Sequence, residues 1–269
     1  MADKQALAEY LDAAKEAALR AAGVLEEWRQ KFQVREKGRF DLVTDADLAS
    51  QKTIHEYLCK RFPAHAFLGE EDTSAKARPA IDAPPTWIVD PIDGTTNYVH
   101  DFPFYCVSIG LQIQGELVVG VVYDPSHKEM FSAAQGMGAW LGTRRLQTSS
   151  VTNLEQALLS TGFPPNMIGQ EATLEWWRYF SIHAQSLRRT GSTALNMAYV
   201  AAGRFDGYYG FDNHAWDVAG ATVLIREAGG VVTNIDGSRY DPFAVDALAS
   251  NAALHPILVQ RFREVIDAK

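Results

Sequence analysis

Trp87-Ile88-Val89-Asp90-Pro91-Ile92-Asp93-Gly94-Thr95-Thr96-Asn97 is the stretch on which the rest of the chain turns. Trp87 to Val89 are consecutive apolar residues, the pattern of a strand buried on both faces. Pro91 has a fixed φ and no N–H for a sheet ladder, so the strand is expected to stop there. Asp90 and Asp93 then fall on a turn at the carboxyl edge of a strand, where layered α/β proteins bind ligands. Gly94 lets the backbone approach a ligand closely. A short helix beginning there would turn the amides of Gly94, Thr95 and Thr96 onto an anion. Two hard oxygen ligands beside an anion cradle suit Mg²⁺ or Mn²⁺ shared with a phosphate. An isolated Asp-Pro-x-Asp-Gly is more often an ordinary turn; the eleven-residue string is far harder to explain that way.

Upstream, Leu7, Leu11, Ala14, Ala18, Leu19, Ala22 and Leu25 recur at helical spacing and predict one amphipathic helix over about 4–29. Thr44 followed three residues later by Asp47 has the form of a capping box for a helix running to about Phe62. Capping alone accounts for Asp47. Residues 31–43, with Lys37, Gly38 and Arg39 together, are expected to be irregular: a solvated loop, or a flap that brings a cation to a site. Phe67-Leu68 opens a short strand ending in Glu70-Glu71-Asp72, acids that repel unless solvated or neutralised. Residues 74–85 contain three prolines and read as a loop.

Downstream, Tyr105–Ile113 and Glu116–Tyr123 predict an antiparallel hairpin, continued by strands near 128–133 and 138–142. Leu158 to Ser160 suggests a strand and 171–185 an aromatic-rich helix, whose Trp176 and Trp177 read as packing residues. Arg188-Arg189-Thr190-Gly191-Ser192-Thr193 precedes a helix through Ala202. A Gly-Ser-Thr entry suits an anion or hydroxyl contact and ordinary capping about equally. A strand over 205–209 follows. Asp217 sits in the first turn of a helix ended by Gly229-Gly230, where the dipole favours a carboxylate without any metal. Strands near 230–234 and 246–250 and a helix from about 254 complete the order.

With 269 residues, 47% hydrophobic, the chain can bury a substantial core. It is read as a single domain over 1–269, with an N-terminal α+β part to about 150 and a C-terminal α/β part from about 151. The net charge is −8 and no Lys/Arg-rich run occurs, so nucleic-acid binding has little electrostatic support. An acidic protein that takes an anionic substrate needs local positive charge, which a metal supplies. Cys59 and Cys106 lie in no metal-ligand spacing. With no apolar leader and no stretch long enough to span a membrane, they fit a cytoplasmic protein.

These blocks resemble the inositol monophosphatase family, within the lithium-sensitive, magnesium-dependent sugar-phosphatase superfamily. The resemblance covers nearly the whole chain. It rests on Gly69-Glu70-Glu71, on Trp87–Asn97 continued through Tyr98-Val99-His100-Asp101-Phe102-Pro103-Phe104, on Thr190-Gly191-Ser192, and on Trp216-Asp217-Val218-Ala219-Gly220 with Glu227-Ala228-Gly229-Gly230. It implies an α+β fold, a layered α-β-α-β-α sandwich, usually a homodimer. It implies Mg²⁺ held by Glu70, Asp90, the Ile92 carbonyl, Asp93 and Asp217. Thr95 and Asp47, with Glu70, would serve the nucleophilic water. The amides of Gly94, Thr95 and Thr96 would bind phosphate beside Asp93 and Asp217; Gly191, Ser192 and Thr193 would line the alcohol side. Lys37 matches a flap residue associated with a weaker third metal. The implied reaction is hydrolysis of inositol 1-phosphate or a related small polyol or sugar phosphate. Histidinol-phosphate phosphatase and 3′(2′),5′-bisphosphate nucleotidase are the runners-up, and a non-catalytic regulatory binding protein stands further off. Gly210 departs from the pattern: family members acting on inositol phosphate typically carry Glu there, seven residues before the motif's aspartate. Asp212 and Asn213 are the candidates to replace it.

Overall fold

The computed structural model describes residues 3–72 and 78–267, so part of the expected proline loop, 74–77, lies outside the described residues. Two helices, α1 (Lys4–Trp28) and α2 (Asp45–Arg61), flank a hairpin of β1 (Val34–Gly38) and β2 (Asp41–Thr44). Next come β3 (Ala66–Gly69), β4 (Thr86–Asp93), the short α3 (Thr95–Val99), β5 (Cys106–Ile113), β6 (Glu116–Asp124), β7 (Glu129–Ala134), β8 (Ala139–Leu141) and β9 (Arg144–Arg145). The remainder runs β10 (Leu158–Gly162), α4 (Glu171–His183), β11 (Ser186–Arg189), α5 (Thr193–Ala201), β12 (Gly207–Phe211), α6 (Ala215–Glu227), β13 (Gly230–Thr233), β14 (Asp246–Asn251) and α7 (His255–Asp267). Among the described residues no helix is long and apolar enough to cross a membrane.

Among the described residues, β3 to β9 form one sheet in chain order, and a second has the order β11-β10-β12-β14-β13. Strand side chains alternate between faces, and here both faces of both sheets are covered. Trp87 and Val89 pack with α1 and α2, whereas Ile88 between them faces the inter-sheet layer. Tyr208 and Ala249 face that same layer; their neighbours Tyr209 and Leu248 turn outward to Trp176, Phe180 and Phe262 of α4 and α7. The result is α1/α2, large sheet, α5/α6, small sheet, α4/α7: the expected α-β-α-β-α sandwich. Each fully buried large side chain, such as Trp87, Phe131 or Phe262, contributes about 1.5–3 kcal/mol.

The middle layer sits close against the large sheet. Gly110 and Gly120 face each other on β5 and β6. A Cβ at Gly120 would lie 2.0 Å from the Gly220 carbonyl oxygen, and one at Gly110 would lie 2.7 Å from Ala219 Cβ. Bare glycine backbone is what lets α6 sit down on the strands. That seating fixes where the first turn of α6, with Asp217, meets the end of β4.

Two expectations are corrected. Strand β4 does not stop before Pro91 but runs on to Asp93. Its pairing with β5 is irregular between Asp90 and Asp93, a bulge that absorbs the missing N–H. Residues 31–43 are not irregular throughout: 34–44 form the β1–β2 hairpin.

Candidate active site

Thr44 caps α2 in a complete capping box: Asp47 Oδ2 accepts from the Thr44 amide at 2.7 Å and from its hydroxyl at 2.6 Å. The structural role foreseen for Asp47 is therefore present. Its second oxygen does something else. Thr95 Oγ1 lies 3.1 Å from Asp47 Oδ1 and 3.1 Å from the Ile92 carbonyl oxygen. Burial raises the Asp47 pKa to about 6, although the Thr44 hydrogen bonds oppose the shift.

The bulge in β4 turns Asp90 and Asp93 toward the same end of the sheet. Asp90 Oδ1 accepts from the Ile92 amide at 2.9 Å. Asp93 is clasped by the start of α5: Oδ2 accepts from Ser192 Oγ at 2.7 Å and from the Ala194 amide, and Oδ1 from the Thr193 amide at 3.2 Å. Gly94 (φ +99°) follows, where a Cβ would crowd the carbonyl oxygens of Phe104 and Gly191 at 3.1 and 3.2 Å. It leads into α3, whose first amides have no partner within the helix. Asp217 caps α6 through the His214 amide at 2.7 Å. Glu70 follows β3, with its amide on the Val89 carbonyl.

One cleft of about 540 Å³ is lined by Glu70, Asp90, Ile92, Asp93, Gly94, Thr95, Thr96 and Asp217. The acids affect one another. Asp90 is pushed well above the ordinary carboxylate range, first by burial and then by Glu70, Asp93 and Asp217. Asp217 is raised by burial, Asp93 and Glu70. Burial also lifts Asp93 to about 6 against its hydrogen bonds. Among the described residues, however, no three His, Cys, Asp or Glu side chains close round one point as a ready-made metal cage. Repulsion between carboxylates favours such spacing, and Lys37 also holds Glu70: Lys37 Nζ lies 2.8 Å from its Oε1 and 2.6 Å from Glu71 Oε1. Burial lowers the Lys37 pKa, but the two glutamates more than reverse this. Glu71 itself rises to about 7, chiefly through burial and Glu70. The donors facing this cleft are carboxylates and carbonyls, the set that suits a hard divalent cation.

Gly191, Ser192, Thr193 and Lys37 line the continuation of the cleft, as do Arg189, Asp212 and Asn213. The Ser192 hydroxyl is committed to Asp93, and Thr193 Oγ1 lies 3.0 Å from Tyr208 Oη. Arg189, which also borders the inner cleft, was not singled out from sequence, whereas Asn213, a candidate beside Gly210, does lie on this wall, buried and with its Nδ2 unpaired. The signal that pointed toward this wall was Gly210.

A sequence profile described as the inositol monophosphatase family matches residues 6–267. The chain belongs to the inositol monophosphatase family. It is 42% identical over 268 residues to inositol monophosphatase 3 of Solanum lycopersicum, covering 98% of this chain and 100% of that protein. It is 41% identical over 254 residues to the inositol-1-monophosphatase of a Synechocystis species, covering 93% and 88%. The solved inositol monophosphatase of Anabaena matches with a TM-score of 0.86 at 36% identity, covering 96% of each chain. The extragenic suppressor protein suhB of Bartonella henselae matches at 0.88 and 36%, covering 94% and 98%. This member of the inositol monophosphatase family is a phosphatase, a phosphoric monoester hydrolase, in a family that is generally metal-dependent.

Proposed function

We propose that the enzyme hydrolyses inositol 1-phosphate or a related small polyol or sugar phosphate, using Mg²⁺. The observation that carries this is a single cleft joining Glu70, the Asp90–Asp93 bulge and Asp217, three remote segments of the chain, beside the Thr95–Asp47 pair. Glu70, Asp90, Asp93, Asp217 and the Ile92 carbonyl would hold the metal. When bound, Mg²⁺ supplies positive charge that activates water and offsets charge on phosphoryl oxygens.

The protein's own groups do the positioning. The Thr95 hydroxyl donates to Asp47 Oδ1 or the Ile92 carbonyl, which leaves its lone pairs free to accept from the attacking water. Asp47, with a pKa near 6, is a fitting resting place for that proton at its Oδ1. The amides of Gly94, Thr95 and Thr96 donate to phosphoryl oxygens as charge develops. Asp93 keeps its orientation through Ser192 and the Thr193 and Ala194 amides.

We place the enzyme in the cytoplasm as a lithium-sensitive homodimer, with Lys37 on a flap that answers to a further cation and with no nucleic-acid partner; the net charge of −8 is consistent with the last point. The test is phosphate release from inositol 1-phosphate, histidinol phosphate and 3′-phosphoadenosine 5′-phosphate, with Mg²⁺ and with a chelator. The expected result is Mg²⁺-dependent turnover that is fastest on the polyol ester. Turnover unaffected by the chelator would defeat the metal assignment, and preference for either other ester would replace the substrate.

A further inference from the structure

One face of α2 touches three of the stretches that carry the site. Asp47, Ser50 and Gln51 stand three and four residues apart, so they share a side of the helix, and all three are buried. Asp47 meets Thr95. Ser50 donates its hydroxyl to the Pro91 carbonyl at 3.1 Å, inside the bulge between Asp90 and Asp93. Gln51 reaches the turn after β3, on which Glu70 stands.

Every backbone amide of that turn is hydrogen-bonded. The Gly69 amide donates to Asp72 Oδ2 at 3.0 Å, Glu70 to the Val89 carbonyl at 3.1 Å, Glu71 to Gln51 Oε1 at 2.9 Å, and Asp72 to the Gly69 carbonyl at 3.2 Å. Gln51 Nε2 closes the network by donating to Asp72 Oδ1 at 3.0 Å. Its amide has one workable orientation, because a backbone N–H only donates and a carboxylate only accepts. Residue 69 must be small for this: a Cβ there would lie 2.2 Å from Gln51 Oε1. Lys37 is the ion-pair partner of the Glu70 and Glu71 side chains. Gln51 instead grips the backbone beside them, without adding charge, while Glu70 still borders the cleft.

We propose that Gln51, with Ser50, is a positioning residue for the phosphatase: α2 sets the spacing between Glu70 and the Asp90–Asp93 pair, and thereby the affinity for the divalent cation. Neither side chain lines the cleft, so each acts through the ligands it holds. This rests on the metal reading above and adds to it the residues that keep those ligands in place.

The test is calorimetric titration of the free enzyme with Mg²⁺, which gives Kd without turnover. Gln51→Ala is expected to raise Kd about five- to tenfold, the worth of one or two hydrogen bonds. The Mg²⁺ concentration for half-maximal activity should rise with it, while kcat at saturating Mg²⁺ and the substrate KM stay within about threefold of wild type. Ser50→Ala should act in the same direction by less. Gln51→Glu combined with Asp72→Asn exchanges donor for acceptor at unchanged net charge, makes the same bonds, and should return Kd to within about twofold of wild type. Melting temperatures in the presence of a chelator separate support of the site from support of the fold. A lowered Tm with unchanged Kd in Gln51→Ala, or an exchanged pair that folds but binds as weakly as Gln51→Ala, overturns this inference. If Glu70→Gln weakens binding and Gln51→Ala does not, the metal reading survives alone. Kd indifferent to Glu70→Gln, or no binding by the wild type, defeats both.

Discussion

Thr95 Oγ1 and Asp47 Oδ1 lie 3.1 Å apart, although 48 positions separate them in the chain. The same aspartate closes the cap of α2 with its other oxygen. One carboxylate therefore serves both folding and the site, and substitutions at its two ends should separate these roles. Thr95→Ala is expected to lower kcat by about 10²-fold or more while shifting Tm little. Asp47→Asn should lose activity, because an amide that keeps its oxygen on the Thr44 donors turns its NH2 toward Thr95, and should also lose about 1 kcal/mol of stability, because a neutral oxygen replaces a charged acceptor at the cap. Comparing kcat and urea midpoints for the two variants checks this; equal stability loss in both would remove the distinction.

Cation binding should be visible without turnover. Asp90, Asp93 and Asp217 are each raised by burial and by neighbouring acids, so a divalent ion relieves repulsion that exists only in the folded state. At Mg²⁺ about a hundredfold above Kd the gain is about 2.7 kcal/mol, read as a rise in Tm by calorimetry. Asp93→Asn should abolish most of that rise. An undiminished shift in this variant would remove Asp93 from the metal site.

If Glu70 holds the metal as proposed, Lys37 would compete with the cation for it. It spans Glu70 and Glu71 at 2.8 and 2.6 Å. Replacing it with Met frees Glu70, and the Mg²⁺ concentration for half-maximal activity should fall severalfold, about 3–10-fold for 1 kcal/mol or so of lost competition. A higher Mg²⁺ requirement would mean that Lys37 helps cation binding instead.

Gly120→Ala tests the seating of α6. The new methyl would meet the Gly220 carbonyl oxygen at 2.0 Å, a backbone clash that no rotamer relieves. A cost of roughly 3 kcal/mol, or about 10 °C in Tm, is expected. In the fraction that folds, kcat should drop as well, since Asp217 moves with the helix. Full activity and wild-type Tm would show that the layer yields freely.

A remote histidine sets part of the acid stability. His255 sits between the Ser250 and Thr233 hydroxyls, 2.9 Å from each, and burial depresses its pKa from 6.5 to about 4. Above pH 6.5 it is neutral in both folded and unfolded chains. Between 6.5 and 4 the unfolded chain takes the proton first, so stability falls with falling pH across that window and levels off below it, by up to about 3 kcal/mol. Unfolding free energies of the wild type and His255→Asn measured from pH 7 to 4 should converge by this amount; parallel curves would refute it.

Much of the fold was legible because its residues are periodic. The apolar spacing from Leu7 to Leu25 and the Thr44 cap mark α1 and α2 closely. The β1–β2 hairpin was not legible: every residue of β1 is exposed, so no buried face imposed an alternation to read. β11 escaped for a similar reason, being an edge strand that ends in two arginines. Pro91 misled because the bulge opposite β5 removes the ladder hydrogen bond that proline could not make. The carboxylates of the site stood out through motif and resemblance. Arg189 did not, since nothing in its own stretch of sequence tells that the end of an exposed edge strand borders the cleft.

The glycine contact between β6 and α6 has a further bearing on how the enzyme ages. Asp90 and Asp93 travel with the large sheet, Asp217 with the helix resting on it, and the clasp on Asp93 with α5. Slippage of a fraction of an ångström along that seam would scatter the acids while both sheets kept their ladders, so inactivation by heat or mild denaturant should precede loss of secondary structure.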